Sequence, residues 1–489
     1  MDKCYNITID NLFNGVPMSY SIEPDYNQQY IFPPRLEDLI PLNHPARFIR
    51  LFVDSLNLEE IGFKSSPGRD GRPHYSNSMK LKIWLYGYFR KIYSTRQLED
   101  ACRNDIGLLW LTGMHYPDHN TLWSFFDSNR AGIKELFKKV TETALKADLI
   151  GLALHALDGT KIQAKVSTRT GWKKNQLSKL LKDVDSSIDE IMQKIKTMHK
   201  EEGVSSFNLP DELQDQMEMR RRIEGIISEM HDINRQHLHK DDKDARMMKR
   251  GKTCDFCYNS QAVVDGDSNL IVAEDVTNDE KDNNMLVPMV ENSTESLGSI
   301  AEETLADGGY YSPEQLIEAD AKGIEVLVNL DGQIIPKKAN KFHKSNFIYD
   351  KEKNVFICPM GKELTFERIK HGPKKRHDIQ IYRCHHKKFC IESGKCSRDK
   401  RGRSIEKEPY YELLKRQIQK QMKPENKEIL AKRKTIVEPV FGIIKEVMRF
   451  KRFTIRGLEK VRVQWSLICT IYNLRKLFKV WTEGKLVIA

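Results

Sequence analysis

Between Leu36 and about Leu145 the apolar side chains return at helical spacing, as in Met79, Ile83 and Tyr86 with Leu81, Leu85 and Tyr88 beside them. Few stretches there alternate as strands do, so the pattern predicts a compact helical domain. Gly71-Arg72-Pro73 ahead of that run reads as a turn, and Pro117-Asp118-His119-Asn120-Thr121 as a second turn with capping residues. From residue 149 the pattern changes: Leu149, Ile150 and Gly151-Leu152-Ala153-Leu154-His155-Ala156-Leu157 read as a short buried strand ending in Asp158-Gly159-Thr160.

A long polar insert follows. Its apolar positions Leu177, Leu181, Val184, Ile188, Ile191, Ile195 and Met198 form a heptad seam. After a break from Gly203 to Pro210, a second helical run carries Ile223, Ile227, Met230 and Ile233, so an antiparallel helical hairpin is expected. Strand patterns return at Tyr258 to Val264 and Leu270 to Val276, joined through Asp265-Gly266-Asp267, a hairpin signal. A helix over Asn283 to Leu297 leads to a short buried strand, Glu303 to Ala306, which delivers Asp307-Gly308-Gly309-Tyr310-Tyr311. Ser312-Pro313-Glu314 opens another helix, and residues 324 to 330 make a further strand. The order strand, hairpin, helix, strand, helix, strand gives an α/β fold: a mixed sheet flanked by helices, preceded by an all-α domain.

With 489 residues the chain has room for two to four domains, and its composition suggests neither disorder nor a fibrous repeat. Residues 1 to 30 lack the pattern of an export signal, and no run of about 18 apolar residues occurs, so a soluble cytoplasmic protein is expected. Nine cysteines, an odd number, favour reduced thiols or metal ligands over a disulfide framework. The net charge of +11 is unevenly spread: residues 331 to 489 carry +23 and residues 1 to 330 carry −12. Such polarity favours a polyanion held by the C-terminal third, RNA, DNA and acidic lipid all being open on charge alone. The N-terminal helices then serve as a packing module or as a reader of nucleic-acid ends, a choice periodicity does not make.

Asp158 and Asp307 lie at or just past the ends of apolar strands, so neighbouring strands could bring both to one sheet edge. Two bare carboxylates a few ångströms apart repel, and a hard divalent ion resolves that conflict. Two such ions can activate an attacking oxygen and stabilise a leaving one in phosphoryl transfer, which asks for a third acid. Val437-Glu438-Pro439-Val440-Phe441-Gly442-Ile443-Ile444-Lys445 supplies the candidate. If it is helical from about Pro439, Glu438 lies at the first turn and Lys445 two turns along the same face. Lys432-Arg433-Lys434 upstream and Arg449, Lys451, Arg452 and Arg456 downstream would extend a phosphate track, unless this is an ordinary amphipathic helix with a solvated basic face.

These blocks together resemble the DDE transposases of bacterial insertion sequences. Residues 152 to 161, Leu-Ala-Leu-His-Ala-Leu-Asp-Gly-Thr-Lys, look like the family's first acidic strand; Leu305 to Tyr311 is similar to the second acidic block and Val437 to Gly442 to the third. Residues 71 to 127, with Gly-Arg-Pro-His-Tyr and Pro-Asp-His-Asn-Thr, look like the helical domain that precedes the core in these proteins. The resemblance spans about Leu36 to Phe478 and implies a ribonuclease-H-like catalytic core. It implies that Asp158, Asp307 and Glu438 bind two Mg²⁺ or Mn²⁺ ions, the two aspartates holding one and Glu438 completing the second. It also implies hydrolysis at terminal inverted repeats of double-stranded DNA, strand transfer into target DNA, and a homodimer on DNA. Lys434, Lys445, Arg449 and Arg452 are the candidate DNA contacts. One subgroup of the family has Tyr and Arg seven and four residues before the glutamate, where this chain has Ala431 and Lys434.

On these readings residues 1–148 form the helical, DNA-end-binding domain and 149–334 the first part of the core, with a hairpin insert at about 170–245. Residues 335–428 form a basic insertion, and 429–489 complete the core with the Glu438 helix. Cys358, Cys384, Cys390 and Cys396 in the insertion are candidates for one structural zinc, although the last three are six positions apart and Cys358 lies far upstream. Cys254-Asp255-Phe256-Cys257 has the spacing of a metal clasp but no partner pair, and His155 reads as a packed core histidine. Lys341-Phe342-His343-Lys344 and Tyr382-Arg383 mix bases with aromatics, which suits a clamp on DNA or a solvated basic surface. Two other readings compete with the transposase: a non-catalytic DNA-binding relic, and a metal-dependent nuclease of similar core.

Overall fold

Helices Pro45–Asp54 (α1), Asn77–Phe89 (α2), Thr95–Asn104 (α3), Ile106–Thr112 (α4), His119–Ser128 (α5) and Arg130–Lys146 (α6) make up the N-terminal part of the chain. The computed structural model describes residues 35–64, 74–202, 211–331, 340–371 and 378–488; the expected turn at Gly71-Arg72-Pro73 lies outside them. The second expected turn holds a real cap: the Asp118 carboxylate accepts the Thr121 N–H at 2.6 Å and starts α5. Apolar residues fill α2 on nearly every side, and Leu81, Ile83, Trp84, Leu85, Tyr86 and Tyr88 are all buried. It is therefore the central helix of this part and presents no free face.

A mixed sheet follows, built from Leu154–Gln163 (β1), Arg246–Arg250 (β2), Thr253–Asp265 (β3), Ile271–Thr277 (β4), Glu303–Ala306 (β5) and Val326–Val328 (β6). β1 pairs antiparallel with β3 from His155↔Asp265 to Gln163↔Cys257, and parallel with β5 from Leu154↔Glu303 to Ala156↔Leu305. β5 in turn pairs parallel with β6, and β2 and β4 share the far edge of β3. Helices Leu286–Leu297 (α9) and Pro313–Ala321 (α10) connect β4 to β5 and β5 to β6. Ser312 caps α10 by accepting the Gln315 N–H, as the Ser-Pro start predicts.

The strand of Asp158 differs from expectation. It begins at Leu154 and runs through Asp158 to Gln163, so the acid sits in mid-strand. The cause is β3, which supplies ladder partners all along β1, whereas β5 pairs it only as far as Ala156.

Helices Lys174–Glu202 (α7) and Asp211–Asp232 (α8) form the expected hairpin, inserted between β1 and β2. Leu177, Val184, Ile223, Met230 and Leu238 are its buried core, with Leu181, Ile188 and Ile227 half-buried against them. Ile233 is exposed, and the side chain of Met198 lies outside the described residues.

The insertion forms a second sheet of Ile348–Asp350 (β7), Val355–Ile357 (β8), Glu363–Lys370 (β9), Ile379–Cys384 (β10) and Ser404–Lys407 (β11), antiparallel throughout. Tyr411–Met422 (α11) leads back to the first sheet, where Lys420 pairs with Glu303 at 2.9 Å and with Glu325 at 2.7 Å.

Pro424–Gly442 (α12) then crosses β1, and Leu458–Thr482 (α13) closes the fold. One continuous apolar core joins the N-terminal helices to the first sheet through α13, where Phe48 meets Phe478 and Trp481.

The helix of Glu438 also corrects the sequence reading. α12 starts at Pro424, a proline in the first turn, and Pro439 lies inside it near the end. Ile436, Val437, Val440 and Phe441 are buried, and that packing holds the helical path through a residue that cannot donate its backbone N–H. Just beyond, Ile443–Val447 widens into a π turn before the chain reverses at Arg449, which has φ +61°.

Candidate active site

Extended two residues past Ala156↔Leu305, the parallel register sets Asp158 beside Asp307, on strands about 5 Å apart. Asp307 follows β5 directly and folds back to accept the Gly309 N–H at 2.8 Å, which fixes its carboxylate at the strand end. Burial pushes the Asp158 carboxyl up from its ordinary pKa; the Arg433 guanidinium and the Gly159 N–H pull it down, and the charge of Asp307 pushes it up again. Arg433 Nη1 stands 3.0 Å from Asp158 Oδ2, yet this buried nitrogen makes no aligned hydrogen bond. The contact is an ion pair, so a cation already rests against the first aspartate.

Below the pair lies a polar floor. The buried Tyr310 hydroxyl donates to Gln261 Oε1, Gln261 Nε2 donates to Asp282 at 2.7 Å, and Asn259 Nδ2 donates to the same Asp282 oxygen at 2.6 Å. Lys161 adds a looser charge to Asp282 at 3.8 Å. The position a Cβ on Gly309 would occupy is 2.9 Å from Asp307 Oδ1 and 3.6 Å from Asp282 Oδ2, so these two carboxylates are neighbours. Gly159 leaves the floor its room: a Cβ there would come within 2.5 Å of Gln261 Nε2. The sequence reading missed Asp282, and it offered Arg433 only as part of a phosphate track and not as a partner of Asp158. Asn259 and Gln261, amide side chains fully buried in an apolar strand, are the signal that could have pointed to the first.

Glu438 projects from the exposed side of α12. Among the described residues, no three His, Cys, Asp or Glu side chains gather tightly enough to hold a metal ion. The structure therefore brings Asp158 and Asp307 together and leaves Glu438 outside that group. Lys445 is half-buried and donates to the Thr160 hydroxyl, two residues along β1 from Asp158 and on the same face. Lys434 and Arg449 are exposed. Arg452 is committed to the fold, because its guanidinium donates to the carbonyls of Ala164 at 3.0 Å and Val166 at 2.9 Å, beside a bridge between Gln163 and Arg452.

A cavity of about 840 Å³ opens between the helical part and the first sheet, lined by Trp84, Tyr93, Trp123, Lys165, Arg456 and Lys460 among others. Lys460 lies over the Trp123 ring at 5.2 Å. Bases interleaved with aromatic rings suit a nucleic-acid backbone and its bases. His155 is fully buried, holds the Gly151 carbonyl at 3.2 Å, and has its pKa lowered by burial, as a packed histidine should. Cys254 is exposed and Cys257 buried, three apart on β3 and so on opposite faces, which rules out a shared clasp.

Two family models match the chain. One described as a transposase domain (DUF772) covers residues 34–128, and one described as a transposase DDE domain covers residues 357–478. The second match includes Glu438 and the later strands of the insertion sheet, but neither Asp158 nor Asp307. No curated protein and no solved structure matches the chain.

Proposed function

From the premise that the chain carries two transposase domains, one of them of the DDE kind, we propose that it cleaves double-stranded DNA at transposon terminal inverted repeats and joins the freed ends to target DNA. The observation that carries the reading is the Asp158–Asp307 pair, side by side where β5 ends against the middle of β1, with one partner's ionisation opposed by burial and by the other's charge. The strand order, with β3 and β5 flanking β1, fits a ribonuclease-H-like core.

The residues fit a divalent cation in part. Asp158 and Asp307 form an oxygen-rich pair, against which Arg433 stands at 3.0 Å from Asp158 and Lys445 adds a more distant positive charge. Glu438, on the helix that crosses β1, would complete a second ion's ligands once it turns toward the pair. Bound there, Mg²⁺ or Mn²⁺ would acidify water and stabilise the departing 3′-oxygen. The chain's own groups do the rest. Arg433, freed from Asp158, meets the scissile phosphate, and Lys445, held by Thr160 on the Asp158 face, neutralises the next one. Lys434 on the exposed side of α12 and Arg449 at the reversal beyond the π turn extend the track, and the basic insertion grips flanking DNA. The protein acts as a homodimer on DNA, each protomer engaging one end.

Incubating the purified chain with DNA bearing its terminal repeats and Mg²⁺ or Mn²⁺ tests this. Joined products support a transposase. Cutting without joining points to a nuclease, and binding without cutting points to a repressor-like relic; either result overturns the proposal.

A further inference from the structure

The second sheet is too small to hold itself. Its main apolar cluster is Phe347, Phe356, Leu364, Tyr382 and Ile405, with Val355, Ile379 and Ile381 also buried, and Cys358, Cys384 and Cys396 pack against that cluster. A unit with so little apolar burial needs a covalent or metal staple. None of its cysteines is in a disulfide.

The turn after β8 is shaped around a sulfur. Cys358 N–H donates to the Lys362 carbonyl at 2.9 Å, Gly361 N–H donates to the Cys358 carbonyl at 2.8 Å, and Lys362 N–H donates to Cys358 Sγ at 3.2 Å. Gly361 has φ +71°, which a side chain would resist. A backbone N–H aimed at a cysteine sulfur stabilises the thiolate that a metal requires. At Cys384 burial raises the thiol above its ordinary pKa, and the His386 N–H at its sulfur works against that rise. Ladder register brings the two turns to one end of the sheet: Ile357 pairs with Glu363 and Leu364 with Cys384, so Cys358 and Cys384 flank the start of β9. Cys390 and Cys396 lie within the loop between β10 and β11, where Cys390 is felt at Cys384 and both Cys384 and Cys390 are felt at Cys396. Lys362 and Arg403 stand beside the group and would offset its negative charge once deprotonated.

We propose that Cys358, Cys384, Cys390 and Cys396 bind one structural zinc ion through four thiolates, stapling the insertion sheet and thereby the root of α11 and α12. As the side chains stand they are close without reaching ligand distance, since no three groups among the described residues gather to hold an ion. Binding draws the Cys390–Cys396 loop inward and releases the thiol protons to solvent. The site is separate from Asp158 and Asp307, so its test does not depend on DNA cleavage.

The test is metal content of the full-length chain, purified reduced, incubated with Zn²⁺ and desalted. The expected result is about one zinc per chain, with zinc content reduced roughly tenfold or more in Cys390→Ser and in Cys358→Ser. Substituted Co²⁺ should show the intense thiolate charge-transfer absorption of a tetrahedral sulfur site, which a variant's misfolding cannot imitate. The four thiols should also resist maleimide until a chelator is added. Overturning results are a wild-type chain that retains no zinc, single serine variants that keep it, or thiols that react equally fast with and without chelator.

Discussion

The two aspartates and the glutamate sit on different kinds of support. Asp158 lies inside a strand paired on both flanks nearby, and Asp307 is locked by its own turn to Gly309. Glu438 rides a helix that runs on through Pro439, is followed by a π turn, and comes after the insertion sheet in the chain. A ladder fixes side chains to within fractions of an ångström, whereas a helix packed on one face can rotate or slide at small cost. The difference teaches that the strand-borne pair is preformed, and on the proposed reading the helix-borne half would close with metal and DNA.

The largest effect expected follows from removing the preformed half. Asp307→Ala should lower both cleavage and joining by roughly 10³-fold or more while leaving DNA binding intact, since several kcal/mol of charge stabilisation would be lost. Retained cutting in that variant would refute the assignment.

Arg433 tests whether the helix-borne half changes place. If it leaves Asp158 to meet phosphate, Arg433→Ala should slow single-turnover cleavage by roughly 10- to 100-fold, and Arg433→Lys should recover only part, lacking the two-pronged guanidinium. Full activity in Arg433→Ala would mean that the ion pair is merely structural.

A smaller signal is thermal. Because burial raises the folded pKa of Asp158, the folded chain holds its proton more tightly than the unfolded one. That group therefore opposes folding above its folded pKa, and the penalty fades as pH falls through that value toward its ordinary one. Mg²⁺ should relieve the penalty at neutral pH, raising the melting temperature by roughly 3 °C in the wild type and not in Asp158→Asn. An equal rise in both would place the ion elsewhere.

The smallest effects separate the arginines that the sequence reading grouped together. Arg452→Ala should cost about 1–2 kcal/mol of stability, for two lost bonds to carbonyls, with little change in the salt dependence of DNA binding. Arg449→Ala should do the reverse, lowering the salt slope by about 1 with stability unchanged. Denaturant titration and binding measured across salt concentrations distinguish them.

What was legible in the sequence follows the same division. Glu303–Ala306, the Asp307 turn and the Ser312 cap emerge where strand, glycine and capping signals coincide. Asp158 was placed at a strand end because Asp-Gly-Thr-Lys-Ile-Gln carries a single apolar residue; the strand continues because β3 pairs it, a tertiary fact. Pro439 looked like a helix start, and only the packing of Val437, Val440 and Phe441 reveals a helix running through it. Arg433 was one base among many, although it falls on the same helical stripe as Ile436, Val437 and Val440, which marks it as inward-facing. Asp282 lies in a polar loop, and its signal is remote: the buried amides of Asn259 and Gln261 that donate to it.

The central claim is that three carboxylates, two preformed and one recruited, share two ions. Counting Mn²⁺ bound by the full-length chain on a DNA end, by electron paramagnetic resonance titration, tests it most directly. The account predicts about two ions per protomer in the wild type, about one in Glu438→Gln and none in Asp158→Asn. Two ions retained in Glu438→Gln would contradict it.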